Sequence, residues 1–214
     1  MFKKKNATSG QATKRVKDLL EMHVHLLTKP NRTFSNLRNE GFFLDQPINP
    51  KNPDDYAKLG YILQKKFISR SFNLELQTTI NNVDIPENFL LKLKFAGFPK
   101  IEVTYFKGDK QSAKYEKYFN DPKLLARLEK VAKTVDVEFI IVEYNRSLNA
   151  FKIRVAPIPG SVLWIVFPPL YFKMPLKKEE ITALWDALIM LRKYTMKLIE
   201  ANNWQGEYSD ESEL

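Results

Sequence analysis

The chain has 214 residues, enough to bury a sizeable core, and its 44% hydrophobic and 28% charged residues are an ordinary globular balance that excludes wholesale disorder. Cysteine is absent, which excludes disulfides, thiolate nucleophiles and cysteine-ligated zinc. A formal net charge of +9 has two sources to choose between: a surface that binds polyanions by releasing counterions, or a lysine- and asparagine-rich bias such as an AT-rich genome produces.

Residues 1–12 read as a flexible basic tail. Lys3, Lys4 and Lys5 are followed by polar residues and not by an apolar run, so no signal peptide is predicted and a cytoplasmic location is expected. Thr13–Leu27 has Val16, Leu20, His23 and Leu27 at helical spacing. Residues 29–53 include Pro30, Pro47, Pro50 and Pro53 without sustained periodicity and are expected as a long irregular loop. Within it Arg32, Phe34, Arg38, Phe42 and Phe43 suit a partner-binding segment or a lid. Asn52-Pro53-Asp54-Asp55 then looks like a capped helix start, with Tyr56, Leu59, Leu63 and Phe67 as the buried face.

Asn73–Ile80 is a candidate strand. Asp84-Ile85-Pro86-Glu87 resembles a capping box opening a short helix that stops at Gly97, although Phe89, Leu91, Leu93 and Phe95 also alternate as a strand would; the helix is preferred. Ile101–Phe106 reads as a strand, and Lys110–Phe119 and Pro122–Thr134 as helices. Val137–Tyr144, Ala150–Ala156 and Ser161–Phe167 then form a predicted three-stranded antiparallel meander. In its simplest register Val137, Phe139 and Ile141 share a face with Phe151, Ile153 and Val155, while Lys152 and Arg154 point the other way. The longest apolar run, Val162–Leu170, is broken by Pro168 and Pro169 and is far short of the roughly 20 residues a membrane span needs.

The last helix, about Lys177 to Asn202, has an apolar stripe of Ile181, Leu184, Trp185, Leu188, Leu191, Leu198 and Ile199. Its apolar surface continues onto a flank with Met190 and Tyr194. Such a helix is expected to be covered on more than one side, by the sheet and the N-terminal helices or by a second copy in a homodimer. Residues 205–214, with Glu207, Asp210, Glu211 and Glu213, read as an acidic disordered tail. The expected fold is therefore α+β: a single domain over 13–204, in which an antiparallel sheet of the meander plus one or two further strands packs with several helices.

The chemistry that the residues allow is narrow. No glycines fall in the spacing of a phosphate-cradling loop or dinucleotide fingerprint. His23 and His25, two apart on a helix, face different sides, and a three-histidine zinc site cannot be built. No catalytic residue, metal or cofactor is predicted. Glu143 continues one face of its strand and is the carboxylate singled out for acid/base work. The strongest binding candidate is the basic stretch from Lys107 to Lys133, with Lys107, Lys110, Lys114, Lys117, Lys123, Arg127, Lys130 and Lys133 interleaved with Tyr105, Tyr115, Tyr118 and Phe119, a pattern that suits phosphates and stacked bases; Lys107, Lys110, Lys114, Lys117 and Tyr115 are its candidate contacts. The favoured function is a non-catalytic protein that binds a macromolecular partner. Nucleic-acid binding through residues 107–133 and a carboxylate-dependent hydrolase are the alternatives.

Overall fold

Two-residue alternation of apolar and polar side chains dominates the chain, and the result is a sheet. A computed structural model describes residues 34–37, 41–49, 52–65, 69–96, 102–165 and 170–204. The strands are β1 (Phe34–Leu37), β2 (Gly41–Asn49), β3 (Asn52–Lys65), β4 (Ser69–Ile80), β5 (Phe89–Ala96), β6 (Glu102–Gly108), β7 (Val137–Asn145), β8 (Ala150–Pro157), β9 (Val162–Ile165) and β10 (Leu170–Lys173). Helices α1 (Ala113–Phe119), α2 (Pro122–Thr134) and α3 (Lys178–Ala201) and a single 3-10 turn at Arg146–Leu148 complete the described elements. The ten strands form one antiparallel sheet in the order β1-β2-β3-β4-β8-β7-β5-β6, with β9 joined to β4 and β10 to β9.

The α+β class, the antiparallel sheet and the long C-terminal helix are as expected. The sheet is wider than expected because three segments fold differently. Residues 29–53 are not an irregular loop throughout, since they include β1 and β2. The helix expected from Asn52 is β3. There the alternation of Ala57, Leu59 and Tyr61, all fully buried, prevails over the helical spacing, and Gly60 at the centre disfavours helix. Residues 89–96 are likewise β5: Phe89, Leu91 and Leu93 point inward while Leu90, Lys92 and Lys94 point outward. The basic tail 1–12, the helix 13–27 and the acidic tail 205–214 lie outside the described residues.

The predicted meander is also corrected. β7 and β8 form the expected hairpin, but β9 pairs with β4 and not with β8. β4 is flanked by β3 along one edge. Along the other edge it pairs with β8 at Leu76–Ile80 and with β9 at Ser69–Phe72. The chain leaves the sheet between these stretches through Pro157-Ile158-Pro159-Gly160, where a proline cannot donate to the ladder. Leu74 faces the break, and its backbone N–H finds the Ser161 Oγ at 3.3 Å. The Tyr61 hydroxyl donates to the Gly160 carbonyl at 2.7 Å, and the Gly160 N–H donates to the Met174 carbonyl at 2.6 Å. The excursion is thus pinned from β3 and from the segment before α3.

A second correction concerns β7. A bulge between Val137 and Phe139 shifts its phase, so Ile140, Val142 and Tyr144 oppose Val155, Ile153 and Phe151 on the core side. Phe139, Ile141 and Glu143 therefore face outward with Lys152 and Arg154.

All three described helices pack on the inner face. Ile181, Leu184, Leu188 and Leu191 of α3 are buried, and α3 packs on β4 and β8 while α1 and α2 pack on β6. Burying each such side chain stabilises the fold by about 1.5–3 kcal/mol. Among the described residues the spare flank of α3 is met by α1 and α2; the expected helix 13–27 lies outside them. Tyr194 packs beside Phe119 and donates its hydroxyl to the Tyr118 carbonyl at 3.0 Å. At the helix end Trp204 packs edge-on against Tyr118, and its carbonyl accepts the Asp84 N–H.

Gly160 has φ +86°, and a Cβ added there would come within 2.6 Å of Leu74 Cδ2. Gly160→Ala is expected to lower stability by about 1–2 kcal/mol from the backbone conformation alone. Denaturant titration should show a lower midpoint at unchanged slope; an unaltered midpoint would mean the excursion is not under this constraint.

Candidate functional site

With the described helices on the inner face, charge accumulates among the outward residues of β3 to β8. The register lines them up in a row perpendicular to the strands. Lys107 lies opposite Lys92, Lys92 opposite Ile141, Ile141 opposite Arg154, Arg154 opposite Gln77, and Gln77 opposite Lys58. Five inter-strand spacings make this row roughly 24 Å long. Beyond Lys58 the register reaches Asp45 of β2. Lys92 and Lys107 form a directly opposed pair of like charges, an arrangement that destabilises a sheet. Both are exposed, as are Lys94 and the Tyr105 opposite it. Among the described residues no carboxylate forms an ion pair with Lys92, Lys94 or Lys107.

The middle of the row is fixed by a buried ion pair. Arg154 Nε and Nη2 each donate to a Glu75 carboxylate oxygen at 2.8 Å, and the Glu75 side chain is 2% exposed against 24% for Arg154. The hydrogen bonds to Glu75 hold the Arg154 guanidinium pKa above its usual value, and the nearby Glu143 adds to this. The Phe139 ring lies beneath two cations, with the Arg154 guanidinium 5.3 Å and Lys92 Nζ 5.8 Å from its centroid. Phe139 therefore orients the cations and packs the face beneath them.

The basic stretch singled out from the sequence is divided by the fold. Lys107 joins the row, and Lys110 is exposed in the turn before α1. Lys114 is engaged by Glu87, whose carboxylate accepts from its ammonium; the bond lowers the Glu87 pKa and raises that of Lys114. Lys117 lies over the Tyr118 ring at 4.8 Å. Tyr115 is not available for stacking on a ligand. It is buried against Phe89 with ring centroids 4.3 Å apart, and burial pushes its phenol pKa up. Of the loop candidates, Phe34 lies in β1 and Phe42 and Phe43 in β2, whereas Arg32 and Arg38 lie outside the described residues. Glu143 is half-buried on the outer face opposite Lys152.

Sequence reasoning placed Tyr105 beside Lys107 in the basic stretch but missed Lys58, Lys92, Lys94 and Arg154 as members of the same surface. The outward alternation of Lys92 and Lys94 was the available signal, and preferring a helix at 87–96 concealed it.

A family model described as "Protein of unknown function (DUF3156)" matches residues 49–195, well over half of the chain and the whole of the basic row. The chain belongs to this family. No curated protein and no solved structure matched it.

Away from this row, a groove of about 710 Å3 lies between α2 and α3. Lys123, Arg127, Lys193 and Lys197 line it together with Asp121, Asp186 and Glu200. Asp121 is committed to capping α2, accepting from the Lys123 and Leu124 N–H groups at 2.8 and 2.9 Å. Asp186 and Glu200 are roughly 21 Å apart along one helix, well beyond the separation at which two carboxylates act together. Among the described residues no helix is long and apolar enough to cross a membrane, and no group of three or more histidine, aspartate or glutamate side chains could hold a metal ion.

Removing one member of a buried ion pair leaves the other charge unpaired at a cost of about 3–5 kcal/mol. Arg154→Met is expected to destabilise by that amount, and Glu75→Gln in the same chain should recover part of the loss. A double-mutant cycle from denaturant melts measures the coupling; strictly additive losses would contradict a buried pair.

Proposed function

We propose that this protein binds an anionic macromolecule on the outer face of its sheet, the face opposite the described helices. The observation behind this is the opposed pair Lys92 and Lys107, exposed side by side with no carboxylate partner among the described residues. Like charges directly opposite each other cost stability in the free protein. A polyanion bound over them converts that cost into attraction and releases its own counterions. Lys94 extends the positive surface along β5, while Lys58 and Arg154 continue the row across the sheet. Lysine-rich composition accounts for the number of lysines but not for their alignment in one register. This surface refines the nucleic-acid alternative drawn from residues 107–133, because only Lys107 of the candidates there belongs to it. It gives the macromolecular partner a charge and the fold a place to hold it.

The test uses heparin, a polyanion without bases. Lys92→Gln with Lys107→Gln should weaken heparin binding on the order of tenfold at low salt, with no loss of thermal stability because a repulsive pair has been removed. Lys123→Gln with Lys130→Gln, on α2, removes the same charge elsewhere and should weaken binding less. Equal effects of the two double variants would point to net charge alone and sink the proposal.

A further inference from the structure

We infer that the anionic macromolecule is a single-stranded nucleic acid, whose phosphates follow the Lys107–Lys92 row and whose bases lie over Tyr105. This inference rests on the proposed polyanion-binding face. What selects the class is the apolar surface interleaved with the cations. Tyr105 is 45% exposed on β6, two residues from Lys107 and opposite Lys94. Leu90, also 45% exposed, lies two residues before Lys92 on the other side of the row. A cation track bordered on both sides by exposed apolar groups suits a strand whose backbone is charged and whose bases are free to turn outward.

Sheet faces of this kind stack two or three unpaired bases on ring side chains. A duplex hides the flat faces of its bases and is read by a helix or a two-stranded ribbon inserted into a groove. Among the described residues the row lies on the broad outer face of the sheet, with α1, α2 and α3 packed on the opposite face. Tyr105 would then gain nothing from a duplex. An anionic bilayer surface calls for a contiguous apolar patch to enter it. Leu90 and Tyr105 are instead separated by Lys92, Lys94 and Lys107. Phe139, half-buried under Lys92 and Arg154, supports the track from below.

The experiment measures fluorescence anisotropy of labelled oligothymidylate and oligouridylate of about 16 nucleotides, a duplex of equal length, and heparin as competitor. Single strands are expected to bind more tightly than duplex. The two oligonucleotide arms establish whether the sugar is discriminated. Tyr105→Ala should weaken single-strand binding roughly fivefold or more, the loss of one stacked base, and leave heparin affinity and the salt slope unchanged. Tyr105→Phe should restore it. Lys92→Gln with Lys107→Gln should instead reduce the log–log salt slope by about 1.4. Duplex binding as tight as single strands, or no effect of Tyr105→Ala while the lysine pair still governs heparin affinity, would overturn the inference and leave the polyanion-binding proposal standing. Absence of binding to heparin and to both oligonucleotides at low salt would overturn both. Circular dichroism melts of each variant separate loss of binding from loss of fold, and Tyr105, being exposed, is suited to replacement.

Discussion

The described fold is arranged around β4, because its two edges are paired and its inner face is buried. β3 takes one edge along most of its length. The other edge is shared by two strands that run in the same direction, β8 and β9, separated by the Pro157–Gly160 excursion. The inner side chains Phe72, Leu74, Leu76 and Ile80 are buried on the helix side of the sheet, while Glu75 and Gln77 are buried on the outer side. A strand so enclosed has no freedom to slip, since a shift by one residue would exchange Leu76 for Glu75 against the core. The registers of β3, β8 and β9, and through β8 those of β7, β5 and β6, follow from it.

That register is what turns scattered cations into a row. Lys58, Arg154, Lys92 and Lys107 lie far apart in sequence, and they align only because each strand pairs in one phase with the next. The bulge in β7 contributes directly. Without it Phe139 and Ile141 would point into the core, and the outer face would lose the ring that orients Lys92 and Arg154. Desolvating Glu75 is compensated by two charge-assisted hydrogen bonds from Arg154. The same pair commits Arg154 to the sheet, so the exposed positive potential of the face comes chiefly from Lys92, Lys94 and Lys107.

The parts of the fold legible in the sequence were those with local causes. α2 begins where Asp121 and Pro122 put a cap and a proline in the first turn, and α3 runs between the limits its apolar stripe indicates. The β7–β8 hairpin is bounded by the Asn145–Asn149 turn, where Asn149 takes a left-handed conformation. The missed elements have non-local causes. β3 has a passable helix start at Asn52–Asp55, and β5 has a capping-box pattern at Asp84–Glu87. Strand partners from distant parts of the chain outweighed these local preferences. The β7 phase could not be read either, because a bulge inserts one residue without leaving a composition signal. Tyr115, one of the aromatics read as available for stacking, illustrates the same limit: sequence proximity to lysines did not reveal that Phe89 covers it.

The distribution of cost across the outer face bears on its purpose. Where the sheet carries a buried charge, as at Glu75, the fold supplies a bidentate partner. At the edge of the sheet, other polar groups are also satisfied: the Phe106 N–H and carbonyl are both bonded by the Asn120 side-chain amide, and the Gly108 N–H by Glu116. Such capping closes the β6 edge to pairing with another strand. Lys92 and Lys107 sit on the adjoining face without a comparable partner among the described residues. A glutamate at either position would have provided an attractive cross-strand pair at no change in strand geometry. The fold thus closes its edge and compensates its buried carboxylate, yet keeps one exposed repulsive pair beside Tyr105. An anion lying over such a pair turns its repulsion into attraction, so this part of the surface is the one that a bound polyanion would stabilise most.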